Sequence, residues 1–164
     1  MVKVGSYRKP VEIYLPSAVI RGTLVTKQER LTDHLNLRGE DQVLSLQDVQ
    51  FEDLQGNAAP ESGKNMIMYV HQVMFVVDLG IAPAMSVADA ATLRVKRESR
   101  EVCLGVGPFW LQGKVHLPPG AELGSFARGK IHFIPLTEGT FLNRPTAETR
   151  TFIINREKVD FIVS

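Results

Sequence analysis

One cysteine, Cys103, is all that this chain carries, so no internal disulfide can form. A reducing, cytoplasmic setting is the expectation that follows. No apolar run approaches the roughly 20 residues that a membrane-spanning helix needs. The opening segment, Met1 to Arg8, lacks the apolar centre of a secretory leader, which predicts that none is present. A strong excess of charge is missing too. The formal net charge is +1. Residues 1–78 hold 8 Lys+Arg against 10 Asp+Glu, and residues 79–164 hold 11 against 8. Neither half has the basic excess of a dedicated nucleic-acid binder. The four histidines, His34, His71, His116 and His132, are scattered and distant from Cys103. A metal needs three or four convergent ligands, and a thiol nucleophile needs a base beside it. The expectation is therefore no metal, no cofactor and no catalytic residue. Apolar content of 44% and charged content of 23% are ordinary for a globular chain.

What the chain does have is an internal echo. Val11-Glu12-Ile13 and Val19-Ile20-Arg21-Gly22-Thr23-Leu24 recur as Val102-Cys103-Leu104 and Trp110-Leu111-Gln112-Gly113-Lys114-Val115, at 113 − 22 = 91 residues. Met66 to Tyr69 and Val73 to Val77 recur as Phe152 to Asn155 and Val159 to Val163, at 159 − 73 = 86 residues. The drift between the two offsets implies small deletions in loops. Each copy reads as short strands. Val11 to Leu15 alternates apolar and polar, the period of a half-buried strand. Ala18 to Val25 is rich in β-branched residues, with Gly22 inside it, and a glycine in a strand marks a bend or a close backbone approach. Val43 to Leu46, Val49 to Phe51, Met66 to Val70 and Val73 to Val77 follow, with a tight turn at His71-Gln72. Asp53 to Lys64 reads as a loop by composition, and Thr137 to Arg150 as its counterpart. Leu104 to Pro108 reads as a hairpin turn rather than a phosphate loop, since no helix opens after it. A short helix is expected near Ser86 to Asp89.

Five short bent strands with a glycine in the second describe an SH3-like barrel, and the residues resemble the Sm-like family. In the first copy the resemblance rests on Ile20-Arg21-Gly22-Thr23-Leu24, Asp33-His34-Leu35-Asn36-Leu37 and Leu46-Gln47-Asp48-Val49. In the second it rests on Phe152 to Ile162. Arg30-Leu31-Thr32-Asp33-His34-Leu35-Asn36 also resembles a motif of an uncharacterised bacterial domain family, which implies a bacterial origin. The resemblance implies an all-β chain of two tandem Sm-like/SH3-like small barrels, residues 1–79 and 94–164, joined by a partly helical linker at 80–93. It also implies edge pairing, the fourth strand of one barrel with the fifth of the next. Three chains closing a six-barrel ring, or the two copies pairing inside one chain, both satisfy that rule.

RNA-binding relatives use an Asp/Asn loop with an Arg-Gly pair. Here Val70-His71 and Asn155-Arg156 stand at the Arg-Gly place, and Gly124-Ser125-Phe126-Ala127 replaces the Asp/Asn stretch in the second copy. Neither copy keeps the full set. The binding candidates are Arg30, Asp33, Asn36, Asn155 and Arg156. Arg30, Asp33 and Asn36 share one side of a helical turn. They either grip a ligand or serve locally, with Thr32 or Asp33 as a cap, Asn36 in a left-handed terminal position and Arg30 paired with Asp33. Arg94, Lys96, Arg97 and Arg100 form the basic cluster, either a nucleic-acid contact or the charged face of an edge strand. Of Phe109 and Trp110, neighbours on a strand, one fills the core and the other faces outward. Cys103, on a strand, is expected to be a buried, inert thiol. The reading is a non-enzymatic binding or assembly module that self-associates or docks a protein partner through strand edges, with no membrane partner. The alternatives are RNA or single-stranded nucleic-acid binding, and small-molecule sensing or catalysis between the barrels.

Overall fold

The structure, a computed structural model, describes residues 6–37, 42–55, 57, 63–80, 98–128, 131–143 and 148–164. The expected helix at 86–89, and with it Arg94, Lys96 and Arg97, lies outside the described residues. The first half of the chain supplies β1 (Tyr7–Tyr14), β2 (Ala18–Thr26), β3 (Val43–Asp53), β4 (Gly63–Tyr69) and β5 (Phe75–Asp78). The second supplies β6 (Glu98–Val106), β7 (Phe109–Leu117), β8 (Phe133–Phe141), β9 (Arg150–Asn155) and β10 (Val159–Val163). A short helix precedes the third strand of each half: α1 (Leu31–Leu35) and α2 (Leu123–Arg128). A 3-10 turn links the last two strands of each half, Val70–Gln72 and Arg156–Lys158.

The chain is all-β in architecture. All ten strands pair antiparallel in one sheet, in the order β10-β6-β7-β8-β9-β5-β1-β2-β3-β4. Within each half the order is fifth, first, second, third, fourth. The sheet is not closed on itself, and β4 and β10 are its two edges. The two halves meet by pairing β5 with β9, in the register Phe75 with Ile154, Val76 with Ile153, Val77 with Phe152 and Asp78 with Thr151. The two halves of the chain therefore pair with each other through β5 and β9.

Local sequence explains the strands. Along β7 the burial alternates strictly, with Phe109, Leu111, Val115 and Leu117 inside and Trp110, Gln112 and His116 outside. This is the pleat acting on a period-2 pattern. The hairpin expected after Leu104 is there, and Gly107 takes φ +55° in its turn. The close approaches expected at Gly22 and Gly113 are also there. A Cβ on Gly22 would lie 3.1 Å from the Gln47 carbonyl oxygen, and one on Gly113 only 2.8 Å from the Thr137 carbonyl oxygen and 2.6 Å from Leu136 Cγ. Both glycines face an irregularity in the third strand, where the register shifts. Asp48 and Glu138 sit at those two irregularities with φ of 54° and 50°. A bulge of this kind sharpens the bend of the strand.

Other expectations are corrected. Thr137 to Arg150 is not all loop, because β8 continues to Phe141. The bulge at Glu138 slips the apolar alternation by one residue, so the strand's period is hidden in the sequence. In α1 the N-cap is Arg30, with extended backbone and no side-chain cap. Asn36 has φ −89°, not a left-handed value. Arg30 and Asp33 form no ion pair with each other. Cys103 is only partly buried.

Two apolar clusters lie on the sheet, and each draws on both halves. One gathers Val102, Leu104, Leu111, Val115 and Leu136 with Tyr14, Val19, Met74, Phe75 and Val77 from the first half. The other gathers Val11, Ile13, Ile20, Leu24, Leu44 and Val73 with Phe133 and Ile153 from the second. No helix among the described residues is long and apolar enough to cross a membrane.

Candidate functional site

The geometry directs attention to two places: the seam between the halves and the two open edges. At the seam, aromatic rings close over the sheet. Tyr14 stacks on Phe75 at 4.4 Å between centroids and meets Phe109 edge-on at 5.1 Å. Phe141 and Phe152 complete the group, 5.1 Å apart. Offset and edge-to-face pairs of this kind are each worth about 0.5–1.5 kcal/mol beyond the area they bury.

Polar side chains then lock the seam. The Asn36 amide donates to the Phe133 carbonyl at 2.9 Å, and its oxygen accepts from the Phe133 N–H at 2.8 Å. β7 pairs with β8 only from Thr137 to Phe141. Phe133, at the start of β8, has no partner in that ladder, and the Asn36 side chain bonds both its N–H and its carbonyl. Asn155 is buried and donates to the Val73 carbonyl at 2.9 Å, while its oxygen accepts from the Glu157 N–H. Main-chain bonds from Met74 to Tyr14 and from Asn155 to Met74 run through the same junction. Arg150 reaches across to the Leu79 carbonyl.

The candidates from the sequence thus separate. Asn36 and Asn155 have their amides engaged by backbone and hold the fold together. Arg30 and Asp33 are exposed, whereas Asn36 is partly buried. Arg156 is half-buried beside a cleft of about 390 Å³ formed with Leu123, Gly124, Asp160 and Phe161. One guanidinium nitrogen, Nη1, is buried there without a hydrogen-bond partner. Arg100 lies on β6 opposite Val115. Phe109 is in the core and Trp110 is exposed, the split expected of strand neighbours.

Charges elsewhere are paired at the surface. Arg21 bridges Glu12 at 2.8 Å and Glu52 at 2.9 Å. The hydrogen bond to Glu12 is the main reason its pKa is raised, against the opposing effect of burial. Lys114 and Glu138 pair at 2.7 Å, which raises the lysine and lowers the glutamate. His34 differs. Both of its ring nitrogens are buried without partners, and desolvation pushes its pKa down. Among the described residues no three His, Cys, Asp or Glu side chains gather as a metal would need.

The open edges are apolar. Ile67 and Tyr69 on β4 are exposed, as are Phe161 and Val163 on β10. Trp110 stands beside β10, its ring edge-on to Phe161 at 6.1 Å. Phe161 lies over Gly105, where any side chain would run into the ring. Exposed apolar strand edges are templates for further pairing. Sequence reasoning identified the edge runs and missed the seam roles of Asn36 and Asn155. A lone asparagine after a short helix reads as a cap, and nothing local to it names a target in the other half. Comparison of the chain with protein-family models, with curated proteins and with solved structures finds no match.

Proposed function

We propose that this chain is a non-enzymatic assembly module that works by extending its sheet at the open edges. In this reading the halves are a tandem duplication of a Sm-like/SH3-like small barrel, from a bacterial, cytoplasmic protein. The shared strand order and the matched glycine-bulge pairs support the duplication. The observation that carries the function is the pair of unpaired edges, β4 and β10, each bearing exposed apolar side chains. A lasting open edge of that composition invites uncontrolled pairing, so a specific partner strand is the physically favoured outcome. The engagement of Asn36 and Asn155 by backbone weighs against nucleic acid, since the residues suggested for that role are occupied. The two clefts are partly open to solvent rather than enclosed, which weighs against a site that buries most of a small ligand.

Light scattering across a concentration series tests the proposal. The expected result is a mass above that of one chain at tens of micromolar, returning to one chain's mass in Ile67→Lys, because a charge on an edge strand blocks pairing. A wild-type protein that stays monomeric to high micromolar concentration overturns it.

A further inference from the structure

We infer that the cleft beside Arg156 binds the C-terminal end of a partner protein, with the terminal carboxylate on the Arg156 guanidinium and the last, apolar side chain between α2 and β10. This goes beyond sheet extension at the open edges and does not depend on it, since it uses a cleft and not a strand's free main chain.

At Arg156 the backbone is fixed and the side chain is not. Buried Asn155 caps the 3-10 turn by accepting from the Glu157 N–H, and the Arg156 N–H donates to the His132 carbonyl at 2.8 Å. Arg156 Nη1, by contrast, is buried without an acceptor. A guanidinium stays charged and can only donate, so leaving one of its N–H groups dry and unpaired costs free energy. The fold does not require that cost. The two 3-10 turns correspond at 156 − 70 = 86 residues, which puts Val70 at the place of Arg156 in the first half. Val70 is 8% exposed and sits in an apolar cluster. One half therefore closes this turn with an apolar side chain, and the other carries an unsatisfied cation there. Turning Nη1 toward an anion in the cleft sacrifices no hydrogen bond of that atom and gains a charge-assisted one.

The surroundings select an anion joined to an apolar group. Arg128 Nη2 lies 3.3 Å from the point that a Cβ on Gly124 would take, so a second guanidinium covers the glycine of the cleft wall. Among the described residues neither arginine is paired with a carboxylate. Asp160, the acidic side chain of the described lining, accepts from the Gly107 N–H at 3.0 Å and is held toward the β6–β7 turn. The remaining walls, Leu123, Val159, Phe161 and Ile162, are apolar.

A terminal residue presents a carboxylate and an apolar side chain from one Cα. An internal Asp or Glu puts the anion where the apolar group would be. The cleft volume of about 390 Å³ is near the lower end of ligand pockets, which run from about 300 to 1,000 Å³. A cleft of that size, partly open to solvent, takes a last residue and lets the preceding chain leave. A free small ligand would stay half exposed in it. Capture of a terminal carboxylate is a recurring mode of peptide recognition.

Fluorescence anisotropy tests this. The probe is a labelled glycine-serine hexapeptide ending in leucine, titrated with wild type and with Ile67→Lys. The expected result is saturable binding of the free acid, weakened about ten-fold or more by amidating its end and equally by Arg156→Gln, as the loss of a charge-assisted pair dictates. Arg156→Lys weakens it less, because the charge remains and only the fork is lost. Ending the peptide in serine weakens it about five-fold, because the apolar walls lose their contact. Equal binding of acid and amide overturns the proposal. So does a preference for the acid that survives Arg156→Gln, or no saturable binding by either protein up to about 1 mM. Tighter binding of an amidated peptide with an internal aspartate overturns the terminal carboxylate. Tighter binding of a labelled hexauridylate, lost in Arg156→Gln, overturns the peptide in favour of nucleic acid. Circular dichroism checks that the variants fold, and amidation of the probe leaves the protein untouched. A chain that stays monomeric by light scattering and still binds the free acid overturns edge assembly and leaves this site standing.

Discussion

Replacing Asn36 by alanine removes the side chain that pairs with Phe133 at the start of β8. The perturbation is confined to two hydrogen bonds, 2.9 Å to the Phe133 carbonyl and 2.8 Å from its N–H. Each is worth about 0.5–1.5 kcal/mol net, with more lost if the freed backbone groups stay dry. Asn36→Ala should therefore destabilise by about 1–3 kcal/mol. For a chain of this length, about 2 kcal/mol corresponds to a fall of roughly 4–8 °C in Tm. Asn36→Asp at neutral pH should cost as much or more. The carboxylate still accepts from the Phe133 N–H, but it turns an acceptor toward the Phe133 carbonyl. Urea unfolding reads the effect as a lower midpoint at unchanged slope, and amide exchange at Phe133 reads it locally. Wild-type stability in Asn36→Ala, with Phe133 still protected, would refute the clamp. It would return Asn36 to the pool of candidate binding residues.

Gly113→Val should destabilise by about 1–3 kcal/mol through overpacking, and by more than Gly22→Val. Its Cβ would meet Leu136 Cγ at 2.6 Å and the Thr137 oxygen at 2.8 Å, against 3.1 Å to the Gln47 oxygen at Gly22; thermal melts of both variants rank them. His34 gives a pH dependence. Burial holds its folded pKa below the ordinary 6.5, so below that pH the unfolded chain takes up a proton that the folded chain does not. Stability should be full above that value, fall as pH drops through it and level off once the folded side chain also protonates. Unfolding free energies of wild type and His34→Gln, measured at about pH 7.5 and about pH 5, should diverge in that sense.

Strand identity was legible residue by residue. The alternation along Phe109 to Leu117 set which side chains enter the core, because the pleat imposes a period of two whatever the sheet packs against. Gly22 and Gly113 were legible as close approaches, since a glycine amid β-branched residues has few other uses. The hairpin turn at Gly107 was legible for the same kind of local reason. Glu138 hid the end of β8, because a bulge breaks the period that announces a strand. The partnership of the halves was beyond local reading. Asn36 finds its acceptor 97 residues away, and Asn155 finds Val73 across 82. No periodicity encodes such distances. The apolar runs at Met66 to Val77 and Phe152 to Val163 announced that edges would be covered. Only the tertiary structure decided which were: β5 and β9 lie where a single chain can bring them together, and β4 and β10 end on opposite sides of the sheet, where one chain cannot.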